Sequence, residues 1–152
     1  MYLKTGTKYG CVYATLAMLL DKEPKQIEKE FNPNGMKFFN SVWPKLPIVP
    51  SKPEIVDWLW HQGYAVVDFV RDPKMKPHVE APAVSVHENS EEVFKQQLSY
   101  GVGFLEGFTK LGHMCAWDGE RIYDPRGYVY SYENAYKYCF EPESFSMVVK
   151  CR

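Results

Sequence analysis

Three side chains in this sequence are of the types that thiol-based acyl transfer needs: Cys11, His113 and Asp124. Such chemistry takes a thiolate nucleophile, an imidazole to hold and deliver a proton, and a group that orients the imidazole. Asp118-Gly119, lying between His113 and Asp124, predicts a two-residue hairpin loop, because both central residues of such a turn must accept positive φ. Pairing around that loop sets Trp117 opposite Glu120, Cys115 opposite Ile122 and His113 opposite Asp124. Cross-strand neighbours have Cβ atoms about 4.5–5.5 Å apart. A carboxylate at that distance orients the ring, fixes its tautomer and eases its protonation. Cys11 stands at the expected start of a helix, where the positive end of the dipole favours a thiolate. Gly10, with no side chain, leaves room for a substrate, and the Cys11 N–H is an orphan donor suited to an oxyanion.

The elements that must position these groups follow from patterning. Of Val12 to Leu20 only Thr15 is clearly polar, so the helix from Cys11 to Leu20 is apolar nearly all round and predicts a helix enclosed by other elements. A short helix follows over Pro24 to Phe31, with proline in its first turn. Residues 32–50, rich in proline and glycine but carrying Met36, Phe38, Phe39, Val42 and Trp43, predict an ordered crossover. Ser51 and Glu54 form a capping box that opens a helix running to Gln62 and stopped by Gly63. Strands are expected over Tyr64–Val70, Pro82–Val86, Val102–Phe108 and Phe145–Val149, with a helix capped by Asn89 or Ser90, running through Val93, Phe94 and Leu98 and ending before Gly101. Aromatics at 128, 130, 132, 136, 138 and 140 recur with period two, which predicts extended chain interrupted at Glu133-Asn134. Helices first and a mostly antiparallel sheet after them place the chain in the α+β class.

Composition sets the remaining bounds. A chain of 152 residues, 45% hydrophobic and 24% charged, is one domain able to bury a sizeable core. A net charge of −1 gives no electrostatic footprint for nucleic acid or an anionic membrane surface. The first ten residues lack the apolar region of a signal peptide, and Val12–Leu20 is too short to span a bilayer. The four cysteines, at 11, 115, 139 and 151, contain no CxxC pair, and they are read as reduced thiols of a cytoplasmic protein.

The segment Tyr9-Gly10-Cys11-Val12-Tyr13-Ala14-Thr15-Leu16-Ala17-Met18-Leu19-Leu20 resembles the catalytic helix of small papain-like cysteine peptidases. Gly112-His113, Trp117-Asp118-Gly119 and Tyr123-Asp124-Pro125-Arg126-Gly127 are similar to the His and Asp motifs of that group. The nearest likeness is to the bacteriocin-leader-processing peptidase domains and their stand-alone bacterial and phage homologues. The resemblance implies a papain-like fold, with a helical N-terminal half around a central buried helix and an antiparallel C-terminal sheet. It implies Cys11 as nucleophile, His113 as general base and acid, Asp124 as the orienting acid, a peptide or protein substrate, and no metal or organic cofactor. It also implies a bacterial cell or a phage-infected host. One position departs from the pattern. The family places a glutamine shortly before the cysteine as second oxyanion donor, whereas this chain has Lys4-Thr5-Gly6-Thr7-Lys8. Thr5, Thr7 and Lys8 are the substitutes at hand. Loss of such a donor typically costs about 10²–10³ in turnover, so an inactive papain-like binding or accessory module is the competing expectation. A deamidase or transglutaminase-like enzyme acting on glutamine side chains shares the same triad.

Blander readings exist for each residue. Trp43 and Trp117 either flank a cleft or pack in the core. Cys115 shares a hairpin face with His113 and is read as a buried filler, and Cys139 and Cys151 are read as structural. A zinc site from His113, Cys115, Cys139 and Cys151 lacks the usual knuckle spacing. His61, His78 and His87 are read as solvated or turn residues. The tyrosine run has no basic stripe beside it, so a packed strand is preferred to a nucleic-acid stacking platform.

Overall fold

A computed structural model describes residues 1–5, 10–31, 50–71, 85–87, 91–108 and 112–151. The apolar N-terminal segment forms α1 (Cys11–Leu20), buried at every position from Val12 to Met18. Helix α2 (Pro24–Phe31) buries only Ile27 fully, and the Phe31 ring packs between Tyr13 and Trp58, with centroids 6.0 and 5.2 Å away. The capping box forms as expected. Ser51 accepts from the Glu54 N–H and opens α3 (Lys52–His61), and Gly63 leaves it at φ 93°.

Among the described residues seven strands make one sheet: β1 (Tyr64–Val70), β2 (Ser85–His87), β3 (Gly103–Phe108), β4 (Gly112–Trp117), β5 (Ile122–Asp124), β6 (Tyr128–Tyr130) and β7 (Glu141–Lys150). Their order is β2-β1-β7-β3-β4-β5-β6, antiparallel throughout except for the β1–β2 pair. Strand β7 therefore lies inside the sheet, and it is longer at both ends than the expected Phe145–Val149. Gly103 on β3 approaches the Ser146 backbone on β7 too closely for any side chain to fit.

Alternation along the strands splits the core into two layers. Val66, Phe104 and Met114 join Val12, Leu16, Ile55 and Leu59 under α1 and α3. Phe69, Leu105, Cys115, Trp117 and Phe145 join Phe94 and Leu98 of α4 (Glu91–Leu98) and Tyr132 and Ala135 of α5 (Tyr132–Tyr138). The α+β class holds, but α4 and α5 fall among the strands, so helices do not all precede the sheet.

The aromatic run corrects one expectation. Only Tyr128–Tyr130 is strand; Ser131 then accepts from the Asn134 N–H and starts α5. The period-two reading failed because Tyr132 and Tyr136 also satisfy the helical i,i+4 spacing, and their rings meet at 6.4 Å. The crossover over 32–49 with Trp43, the caps Asn89 and Ser90, residues 82–84, His78, Thr7 and Lys8 lie outside the described residues. Among the described residues no helix is long and apolar enough to cross a membrane.

Candidate active site

The hairpin forms, with a wider loop than Asp-Gly alone predicts. Ala116 faces Tyr123 and Trp117 faces Ile122, so the loop spans residues 118–121 and the pairing is displaced by two residues. The cause is the Asp118 side chain. Its Oδ1 accepts the N–H groups of Glu120 and Arg121 at 2.8 and 2.7 Å, and Gly119 takes φ 101°. A displacement of two preserves the face on which each side chain lies. Asp124 therefore stands diagonally from His113 instead of opposite it, and the His113 Nε2–Asp124 Oδ1 contact still forms at 2.9 Å.

Asp124 is fully buried and heavily ligated. The turn Asp124-Pro125-Arg126-Gly127 brings Arg126 back onto the acid. The Arg126 backbone N–H donates to Oδ1 at 2.9 Å, and its guanidinium Nε and Nη2 reach Oδ2 at 2.9 and 2.8 Å. Burial alone would raise the carboxyl's pKa, but the hydrogen bonds from His113 and Arg126 prevail and hold it far below the usual carboxylate range. Burial likewise works against the His113 imidazolium. Hydrogen bonds with Asp124, Cys11 and Cys139 outweigh it and push the ring up to about 11. The ring edge rests on Phe140, with centroids 5.6 Å apart.

Cys11 reaches this ring because α1 is pinned to the neighbouring strand. Thr15, the polar exception in the apolar helix, donates to the Met114 carbonyl at 3.2 Å, beside His113. Cys11 is partly buried at the helix start, and its thiol is among the groups that raise the pKa of the imidazole. Gly10 is the buried N-cap residue, and its carbonyl accepts from Ala14 N–H at 2.9 Å. The N–H groups ahead of Ala14 thus have no acceptor within the helix. Thr5 is exposed and close to the Asp124 turn, with its methyl 3.9 Å from where a side chain on Gly127 would begin. Trp117 is only 5% exposed, and its indole N–H donates to the Leu98 carbonyl at 2.8 Å. Of the two readings left open for it, core packing is the one observed.

The sequence reading gave two members of this cluster blander roles. Cys139, read as structural, ends α5 against Arg126 and Asp124: the Arg126 Nη2 donates to its sulfur at 2.9 Å, and its thiol reaches Asp124 Oδ2 at 3.2 Å. Cys115, read as a filler, contributes its buried sulfur. The donor atoms of His113, Cys115, Asp124 and Cys139 all lie within 4.8 Å of one another. A hydrogen bond from Cys115, with help from His113, pulls the Cys139 thiol down to about 6 against the effect of burial. Burial pushes the Cys115 thiol far up. An imidazole, two sulfurs and a carboxylate are a donor set zinc accepts. Cys151, named in the sequence-based zinc set, is exposed, and its thiol donates to the Val149 carbonyl of its own strand end. The signal for Arg126 was present in the spacing Asp124-Pro125-Arg126-Gly127, an acid able to bond its own backbone two residues on. No comparable signal marked Cys139.

Comparison of the chain with protein-family models, curated proteins and solved structures gives no match.

Proposed function

We propose that the protein is a thiol-dependent amide hydrolase, with Cys11 as nucleophile, His113 as the acid and base, and Asp124 as the positioning residue. One observation carries this reading. The imidazole held by the buried Asp124 carboxylate at 2.9 Å also has the Cys11 thiol, at a helix N-terminus, among the groups that raise its pKa. With Nε2 engaged by Asp124, Nδ1 is the nitrogen that exchanges a proton with Cys11. A buried helix bearing the thiol, packed on an antiparallel sheet bearing the imidazole and acid, supports a papain-like arrangement.

The reactive form pairs a Cys11 thiolate with the His113 imidazolium. The sulfur attacks the amide carbonyl carbon, and the oxyanion forms beside the Cys11 and Val12 N–H groups at the start of α1. His113 gives its proton to the departing amine, leaving a thioester on Cys11. Neutral His113 then takes a proton from water as the water attacks, and returns it to the sulfur as the acid product leaves. Hydrolysis, deamidation and acyl transfer share the thioester and differ in the acceptor.

Incubation with p-nitrophenyl acetate tests the proposal. A burst of nitrophenolate is expected, with the acetyl group found on Cys11 by peptide mass mapping. Cys11→Ala and His113→Ala should lose the burst, and Cys139→Ser should keep it. Acetyl found on Cys139 alone, or a burst unaffected by His113→Ala, overturns the reading.

A further inference from the structure

The sulfurs of Cys139 and Cys115 lie within 4.8 Å of each other and of the facing donor atoms of His113 and Asp124. The proposed amide chemistry uses neither. The two differ sharply in surroundings. Cys115 is wholly buried on β4, among apolar side chains. Cys139 is partly exposed at the end of α5, with the Arg126 guanidinium donating to its sulfur at 2.9 Å, His113 beside it, and its own thiol donating to Asp124 Oδ2 at 3.2 Å. A partly exposed cysteine flanked by cationic groups is the environment of a reactive thiolate. A second thiol next to it is what turns oxidation of that thiolate into a disulfide.

We infer that Cys139 is a peroxide-reactive thiol and Cys115 its resolving partner, forming a reversible disulfide beneath His113. In the first step the Cys139 thiol loses its proton to solvent and its sulfur attacks hydrogen peroxide. The O–O bond breaks, an S–O bond forms, and the departing hydroxide takes a proton from solvent, so the sulfur loses two electrons and the peroxide gains them. In the second step the Cys115 sulfur attacks the sulfenic sulfur. The S–S bond forms, the S–O bond breaks, and the hydroxyl leaves with the Cys115 proton as water. Two thiols and one peroxide thus yield one disulfide and two waters.

The charge balance of the cluster favours this over a metal centre. Protonated His113 and Arg126 already face the Asp124 carboxylate, to which the Cys139 thiol donates, so two cations meet one carboxylate before any metal ion is added. Bond formation would turn Cys139 away from Arg126 and His113, so the disulfide also resets the surroundings of the imidazole. The inference is independent of Cys11: it needs only the geometry around Cys139.

The test uses the intact protein and one equivalent of hydrogen peroxide, quenched by alkylation and mapped by mass spectrometry. Loss of two hydrogens and a Cys115–Cys139 cross-linked peptide, reversed by dithiothreitol, are expected. Cys115→Ser should stop at a sulfenic acid on Cys139 that dimedone traps. Arg126→Ala should slow oxidation about tenfold and Arg126→Lys should restore most of the rate. The inference is overturned if peroxide oxidises Cys11 or Cys151 while Cys139 stays reduced. It is equally overturned if the purified protein holds one zinc ion that Cys115→Ser or Cys139→Ser releases.

Discussion

Two buried charge clusters sit on this sheet, and they are built on opposite principles. Around Lys52 on α3, the ammonium meets Glu106 and Ser146 at 2.7 Å each and Asp68 at 3.3 Å, while Ser146 donates to Asp68 at 2.6 Å. All three N–H donors of the lysine are engaged, and the Phe104 ring lies 4.9 Å from its nitrogen. The two carboxylates outweigh the burial that disfavours the charged amine, and raise its pKa. None of these groups offers a soft atom. Around His113, by contrast, two thiols and an imidazole share a pocket with an acid and a guanidinium. A closed set of hard ions holds elements together; the sulfur-bearing set keeps groups able to change their bonds.

The sharpest way to break the comparison is through turnover. Cys11→Ala or His113→Ala should lower acyl-enzyme formation by about 10⁴-fold or more, and Asp124→Asn by about 10⁴-fold, read from burst kinetics. If Lys52→Met, where it stays folded, did the same, the two clusters would not differ in kind. Stability should rank them the other way. Lys52→Met leaves Asp68 buried with no counter-ion, and should cost about 3–5 kcal/mol in urea unfolding.

The pH dependence sharpens the contrast further. Because the folded-state pKa of His113 lies above its unfolded value near 6.5, its contribution to stability is complete below that value and is lost as pH rises towards about 11. Asp124 is shifted downward, so its contribution is complete above about pH 3.9 and falls away on acidification. Urea midpoints should decline with pH between these His113 limits, and His113→Gln should remove that part of the decline. At the small end, Asp118→Ala should cost about 1 kcal/mol by freeing two turn N–H groups. Lys95→Ala, which breaks an exposed pair with Glu133, should change stability by no more than about 0.5 kcal/mol.

What was legible in the sequence was local. The apolar run from Val12, the Ser51–Glu54 box and the stop at Gly63 each rest on contacts within one turn, and each formed. The meeting of His113 and Asp124 was legible although the loop was not, since a two-residue slip conserves the face. The sequence concealed what depends on distant packing. Cys139 reaches the cluster only because α5 forms where a strand was expected, and the parallel placement of β2 beside β1 carries no local mark. Trp117 was ambiguous because an indole suits a cleft wall and a core equally. Its partner, the Leu98 carbonyl, belongs to a helix nineteen residues earlier.

Strand β7 bears on how such a domain is made. It bonds β1 along Tyr64–Val70 and β3 along Gly103–Phe108, joining the two parts of the sheet. During synthesis those strands emerge first and wait with open, hydrogen-bonding flanks until residues 141–150 leave the ribosome. Such exposed flanks invite pairing with other nascent chains. Closure of the sheet, and with it a settled platform for the imidazole, is therefore one of the last events in the birth of this domain.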